Sequence, residues 1–189
     1  AEAGGGADRP VNVLIECDTG RKRAGVETPG EAVALAKMVR DDSWLQFGGL
    51  LFYPPSDGWP ATQQFLDTAR EGLADLGLVP EIISTGGTPN LVNLGRLEGA
   101  TEHRAGTCIF NDRMMMAAGV AGIDDCALKI FTSVVSRGGD KRGILDAGSK
   151  TFTSDTGGLD GFGLILEHPE AQIHNMAEEH GFLDLSDCE

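Results

Sequence analysis

The sequence predicts an α/β unit followed by a mainly β region, and three observations carry that expectation. Over the first 113 residues, apolar runs of strand length alternate with segments of helical periodicity, the pattern of a parallel βα fold. From Asp125 onward the runs are separated by Gly and Asp turns. The 27 glycines cluster at the ends of apolar runs, where tight backbone turns fall; that is about double the usual ~7% share.

"VNVLIEC" (Val11 to Cys17) is the first strand. "TPGEAVALAKMVRDD" follows as a helix, with Thr28 as N-cap, Pro29 at the first helical position and Glu31 three residues after the cap. Ala32, Leu35, Ala36 and Val39 give it one apolar face. "LQFGGLLFY" is the second strand. A helix then starts at Pro60 with Phe65, Leu66, Ala69, Leu73 and Leu76 on one side, and Gly77 marks its left-handed end. "PEIIST" (Pro80 to Thr85) is the third strand, followed by a glycine turn and a short helix. A fourth strand lies within "TEHRAGTCIFND". Four such units amount to about half of a closed eight-stranded barrel. Past the junction, where "RMMM" reads as packing, "CALKIFTSVVSR", "RGILDAGSKTFTSD", "GFGLILEH" and "AQIHNMAEE" read as strands. The expected division is residues 1–113 and 114–189.

Composition narrows the class. At 189 residues the chain suits one domain, or one and a part. A net charge of -14 argues against a general nucleic-acid or anionic-membrane binder. No apolar stretch approaches the ~20 residues of a membrane helix, and "AEAGGGADRP" is no signal segment. Cys17, Cys108, Cys126 and Cys188 form no C-x-x-C pair, so reduced thiols in a cytoplasmic protein are expected. The chain opens at Ala1 and closes on "DLSDCE", which suggests a piece of a longer protein.

Three stretches carry chemistry. "STGGTPN" (Ser84 to Asn90) follows an apolar strand and precedes a helix. There backbone N–H groups and the helix dipole favour a phosphate. Gly86 and Gly87 let the backbone approach, and Ser84, Thr85 and Thr88 add hydroxyls; a plain glycine turn capped by Thr88 fits the spacing equally well. Gly106 and Thr107, in "HRAGTCIF", make a second small turn, and late-strand loops are where barrels place phosphates. "DTGRKRAGV" would deliver one of Arg21, Lys22 or Arg23 inward to an anionic group, or form a solvated basic turn paired with Glu16 or Asp18.

Taken in order, "DTGRKRAGV", "GGLLFYPP", "STGGTPN", "EHRAGTCIFND", "VVSR", "ILDAGSKTFTSD" and "EEHGFLDLS" resemble the D-threonine aldolase and D-serine dehydratase branch of the alanine-racemase-type, fold type III pyridoxal-phosphate (PLP) enzymes. The resemblance implies that residues 1–113 are the second half of a PLP-binding (β/α)8 barrel and that 114–189 are part of a mainly β domain. It implies a homodimer acting on a small D-amino acid as an aldolase or dehydratase, assisted by a divalent metal, zinc or manganese. A racemase-like enzyme, a non-catalytic PLP- or phosphate-binding barrel remnant, and a different phosphate-binding barrel enzyme are the alternatives.

By the same resemblance Arg23 holds the cofactor's phenolic oxygen, Ser84, Thr85, Gly86, Gly87 and Thr88 hold its phosphate, and Gly106 with Thr107 form the second phosphate turn. Tyr53 falls near the cofactor ring, or packs at a strand end. Cys108 stands where many relatives have tyrosine. The family's covalent lysine lies in an H-x-K-T-like segment absent here, and Lys150 matches a lysine of the β domain instead. No catalytic residue and no metal ligand is therefore assigned. The expected metal pair lies past Glu189, His180 serves as a strand-end hydrogen-bonding group, and His103, His168 and His174 are surface or packing residues. The chain by itself is expected to bind PLP weakly or not at all and to aggregate.

Overall fold

The computed structural model describes residues 9–188, in two units that divide between Gly106 and Thr107. The first contains β1 (Val11–Cys17), α1 (Pro29–Arg40), β2 (Leu45–Phe52), α2 (Trp59–Asp75) and β3 (Ile82–Gly86). A 3-10 helix (Thr88–Arg96) and β4 (Glu102–Arg104) complete it. The strands lie in sequence order and all neighbours are parallel.

The start of α1 follows from its first four residues. The Thr28 hydroxyl accepts from the Glu31 N–H at 3.3 Å, and the Glu31 carboxylate accepts from the Thr28 N–H at 3.0 Å, so two orphan donors are satisfied reciprocally. The hydrogen bond from the Thr28 side chain, with help from the Thr28 and Glu27 N–H groups, holds the Glu31 carboxyl below the usual range. Thr28→Ala lowers stability by about 1 kcal/mol in urea denaturation at neutral pH. A depressed folded-state pKa contributes above the unfolded value and is lost as pH falls through the folded one. The gap between Thr28→Ala and the native chain therefore narrows in acid.

Ala32, Ala36 and Val39 of α1 are buried as expected, whereas Leu35 is 39% exposed. Only a narrow stripe of α1 is buried, and Val33 beside it packs on the core where Gly72 of α2 approaches. On α2, Phe65, Leu66, Ala69 and Leu73 are buried. Gly77 sits at φ +68 past its end, as the left-handed cap requires.

One core unites Ile15, Cys17, Leu50, Phe52 and Ile83 from alternating strand positions with Ala32, Ala36, Phe65, Leu66, Ala69 and Leu73. Both crossover helices thus pack on the same face of the sheet. Doubly wound sheets put helices on both faces, whereas a barrel wall keeps them on one. The four strands form an open sheet with β1 and β4 as its edges, and no closed barrel is seen among the described residues. Within it, Val13 pairs with Phe47 and Leu14 with Gly49, so Gly48 is the extra residue of a bulge.

The second unit contains α3 (Arg113–Ala117) and an antiparallel sheet of β5 (Val134–Arg137), β6 (Arg142–Leu145), β7 (Gln172–Met176) and β8 (Gly181–Asp184), in the order β5-β6-β8-β7. Two strand expectations are corrected here. "CALKIFTSVVSR" is extended in a sheet only over Val134–Arg137, and "GFGLILEH" forms bends and turns rather than a strand. In the latter, Gly161 turns the chain at φ +67, and Phe162 and Ile165 pack on the Leu145, Ile173 and Leu183 core without joining a ladder. No helix among the described residues is long and apolar enough to cross a membrane.

Candidate functional site

At the C-terminal end of β3 the chain passes through Gly86 and Gly87 into the 3-10 helix. Gly87 holds φ +99 and ψ 126, a conformation open essentially to glycine alone. Its N–H donates to the Arg104 carbonyl at 2.9 Å and its carbonyl accepts from the Asn90 N–H at 2.9 Å. The Tyr53 ring lies against both glycines. A Cβ on Gly87 would run into the ring, 2.9 Å from its Oη, and one on Gly86 would stand 2.8 Å from Arg104 Nη2. The turn is glycine because a ring and a guanidinium occupy the space a side chain would need.

Below the turn, the strand alternation sends Ser84 and Thr85 to opposite faces. On the open face the Ser84 hydroxyl donates to the Glu102 carboxylate and accepts from the Arg104 guanidinium, whose Nη2 also donates to the Phe52 carbonyl at 3.2 Å. On the other face Thr85 meets His103, with Oγ1 and Nδ1 2.7 Å apart. Asn90, buried, donates to the carbonyls of Pro54 at 3.0 Å and Gly86 at 3.2 Å. It ties the Tyr53–Pro54 segment to the turn.

Past β1, the "DTGRKRAGV" loop folds around its own acid. Asp18 accepts from the N–H groups of Gly20 at 2.8 Å and Arg23 at 2.9 Å. Burial pushes its pKa up, but the N–H groups of Gly20, Lys22, Arg23 and Arg21 outweigh that and hold it below the ordinary carboxyl range. The guanidiniums of Arg21 and Arg23 stand 4.2 Å and 5.0 Å from the Tyr53 ring centroid, within cation–π reach. Arg23 also pairs with Glu16 at 3.4 Å, its side chain 63% exposed. Glu16, Asp18, Arg21, Arg23 and Tyr53 surround a recess too narrow to admit a water molecule. Cys17 lines it, its thiol pushed up to about 12 by burial and then by Glu16, which leaves it protonated and unreactive. A larger groove, about 420 Å³, runs between the same loop and α2 and includes none of the glycine-turn residues.

The structure thus brings Arg23, Tyr53, Gly86 and Gly87 together. Ser84, Thr85 and Thr88 are buried, and the Ser84 and Thr85 hydroxyls are engaged with β4 rather than turned toward an open site. Gly106 closes the first unit, with open space where its Cβ would be. Thr107 opens the second, its carbonyl accepting from the Phe110 N–H at 3.1 Å. His103, expected as a surface or packing residue, is a half-buried hydrogen-bonding group. Arg104, Asn90 and the stacking of Arg21 were not anticipated. Only the polar letters in "EHRAG" and "TPN" hinted at the first two. Among the described residues no three His, Cys, Asp or Glu side chains gather where a metal could bind.

A same-face parallel α/β sheet ending in a glycine turn, followed by an antiparallel unit, is matched by known families on both sides of the junction. Residues 1–114 match the alanine racemase N-terminal domain and residues 127–189 the putative serine dehydratase domain. The chain belongs to the alanine racemase N-terminal domain family.

Among curated relatives, D-threo-3-hydroxyaspartate dehydratase of Delftia sp. (strain HT23) is 30% identical over 93% of this chain and 52% of its own. D-threonine aldolase of an Arthrobacter species is 28% identical over 93% of this chain and 48% of its own. The solved Delftia dehydratase superposes with a TM-score of 0.77 at 28% identity, covering 93% of this chain and 52% of that one. The chain spans about half the length of the curated relatives it matches.

Proposed function

We propose that this chain is the cofactor-cradling portion of a PLP-dependent lyase that acts on D-3-hydroxy amino acids, by dehydration or by aldol cleavage. The observation that carries the reading is the Gly86–Gly87 turn, where neither glycine has room for a Cβ and the Tyr53 ring carries two guanidiniums. An oxyanion at the turn and an acidic aromatic ring beside it suit that cation-rich, glycine-lined place. The names of the Delftia dehydratase and the Arthrobacter aldolase supply the substrate class. β1 to β4 are read as the second half of a (β/α)8 barrel within residues 1–113, and residues 114–189 as part of a mainly β domain. The natural protein is proposed to be a cytoplasmic homodimer.

The residues present fit PLP in part. The turn from Gly86 to Thr88 would receive the phosphate, with Ser84 and Thr85 supporting it through their bonds to β4, and Arg23 would hold the phenolic oxygen with its charge-assisted fork. When bound, PLP supplies an electron sink for the charge that develops at the substrate's α-carbon. Asp18 shapes the loop that would present Arg23, Glu16 pairs with its guanidinium, and Asn90 ties the Tyr53–Pro54 segment to the turn that would receive the phosphate. The described residues do not fit a divalent metal, since no ligand cluster forms among them. Metal assistance is therefore proposed for the natural protein, not for these residues.

A phosphate-binding barrel of other chemistry is the second reading, favoured by the Arg23–Glu16 ion pair, in which Arg23 serves only the loop. Arg23→Leu in the natural protein separates the two. On the PLP reading it changes the visible absorbance of the bound cofactor and lowers D-3-hydroxyaspartate or D-threonine turnover at least ~100-fold, the size typical of losing one charge-stabilising donor. An unchanged spectrum and turnover would favour the second reading.

A further inference from the structure

The His103 ring bridges the strand beneath the glycine turn and the turn itself. Its Nδ1 lies 2.7 Å from the Thr85 hydroxyl and its Nε2 3.0 Å from the Gly87 carbonyl. A carbonyl can only accept, so Nε2 carries the hydrogen in either charge state of the ring. The Gly87 carbonyl also accepts from the Asn90 N–H at 2.9 Å, so two donors pin its orientation. On a neutral ring, Nδ1 accepts the Thr85 hydroxyl proton. On a charged ring, Nδ1 donates to Thr85, whose own proton has a second acceptor in the Glu102 carbonyl at 3.3 Å. The bracket can therefore gain a proton without leaving any of these groups unpaired.

We propose that His103 is a proton-linked positioning residue of the turn: an oxyanion seated at Gly86–Thr88 draws a proton onto the ring behind it, and the imidazolium tightens the turn's hold on that anion. The charged surroundings favour the anion as its partner. β3 carries no charged residue, and the 3-10 helix carries only Arg96, in its last turn. On β4, Glu102 and Arg104 alternate to the opposite face, where both bond Ser84. Among the described residues the ring's hydrogen-bond partners are uncharged, so an imidazolium here has no carboxylate in its bracket.

The proposal rests on the reading of the turn as a phosphate site, and its test separates the two. Sulfate is the probe because it stays doubly charged across the useful pH range. Calorimetric titration of the protein is expected to show sulfate binding about tenfold weaker near pH 8 than near pH 5.5, a coupling ordinary for linked sites. His103→Gln keeps a donor for the Gly87 carbonyl but cannot titrate, so it should bind with a flat pH profile. On the native protein near pH 7, added sulfate should move the His103 ring-nitrogen resonances toward the imidazolium position, which needs no variant. An equal pH slope in His103→Gln, or His103 resonances indifferent to sulfate, overturns the proposal alone. Absence of binding by sulfate and by PLP at every pH in the natural protein overturns the phosphate reading and this proposal with it.

Discussion

Gly87→Ala is expected to abolish oxyanion binding at the turn while leaving the rest of the chain folded. Two independent effects act on the one added methyl. The backbone at φ +99 and ψ 126 costs an alanine about 1–3 kcal/mol. The methyl also meets the Tyr53 ring, so the ring must leave, and with it the surface on which Arg21 and Arg23 rest. Sulfate or PLP affinity should fall at least ~100-fold, the turn geometry and the cation placement failing together. Tyr53→Ala in the same background removes the clash but not the backbone strain. Partial recovery of affinity is then expected, and full recovery would show that the strain is negligible. Native affinity in Gly87→Ala alone would contradict the account of the turn.

Gly49→Ala should do more damage, and to the fold rather than the site. Gly49 follows the bulge in β2, at φ +152, where β2 pairs with both β1 and β3. A Cβ there would stand within 2.7 Å of the Ile82 carbonyl carbon and 2.9 Å of its nitrogen. These are backbone atoms, so no rotamer change relieves the contact and the β2–β3 ladder has to part. A loss of more than about 4 kcal/mol places this among the exceptional single substitutions. It is a large share of the ~5–15 kcal/mol that holds a domain folded. Urea denaturation and soluble yield measure it, and a loss under about 1 kcal/mol would mean that the strands shift apart with ease.

Much of this was legible because it depends on neighbours in the chain. Thr28, Pro29 and Glu31 announce the start of α1, Gly77 the end of α2, and the alternation from Val11 to Cys17 a strand, since capping and side-chain alternation are local. The glycine turn was visible for the same reason, and the resemblance supplied roles for Arg23 and Tyr53. What escaped notice depends on register. Ser84 opposes Glu102, Thr85 opposes His103 and Gly86 opposes Arg104 only because β3 and β4 pair as they do. No spacing within either strand reveals that alignment. His103 therefore reads from sequence as a surface or packing residue, and nothing in the sequence singles out Arg104. The apolar letters of "GFGLILEH" misled in the opposite sense. They find a core to pack on, but the chain turns at Gly161 and makes a backbone bond from the Phe162 N–H to the Ile173 carbonyl without extending into a ladder.

Tyr53 is the chain's one tyrosine, and its ring sits against the two glycines and beneath two guanidiniums. Biosynthetic replacement with a fluorinated tyrosine would therefore give a single fluorine resonance, with no assignment problem and no engineered probe. Departure of either cation, or arrival of a ligand on the turn, alters the electric field at that one nucleus. The protein carries its own spectroscopic reporter at the place where its chemistry is expected to begin.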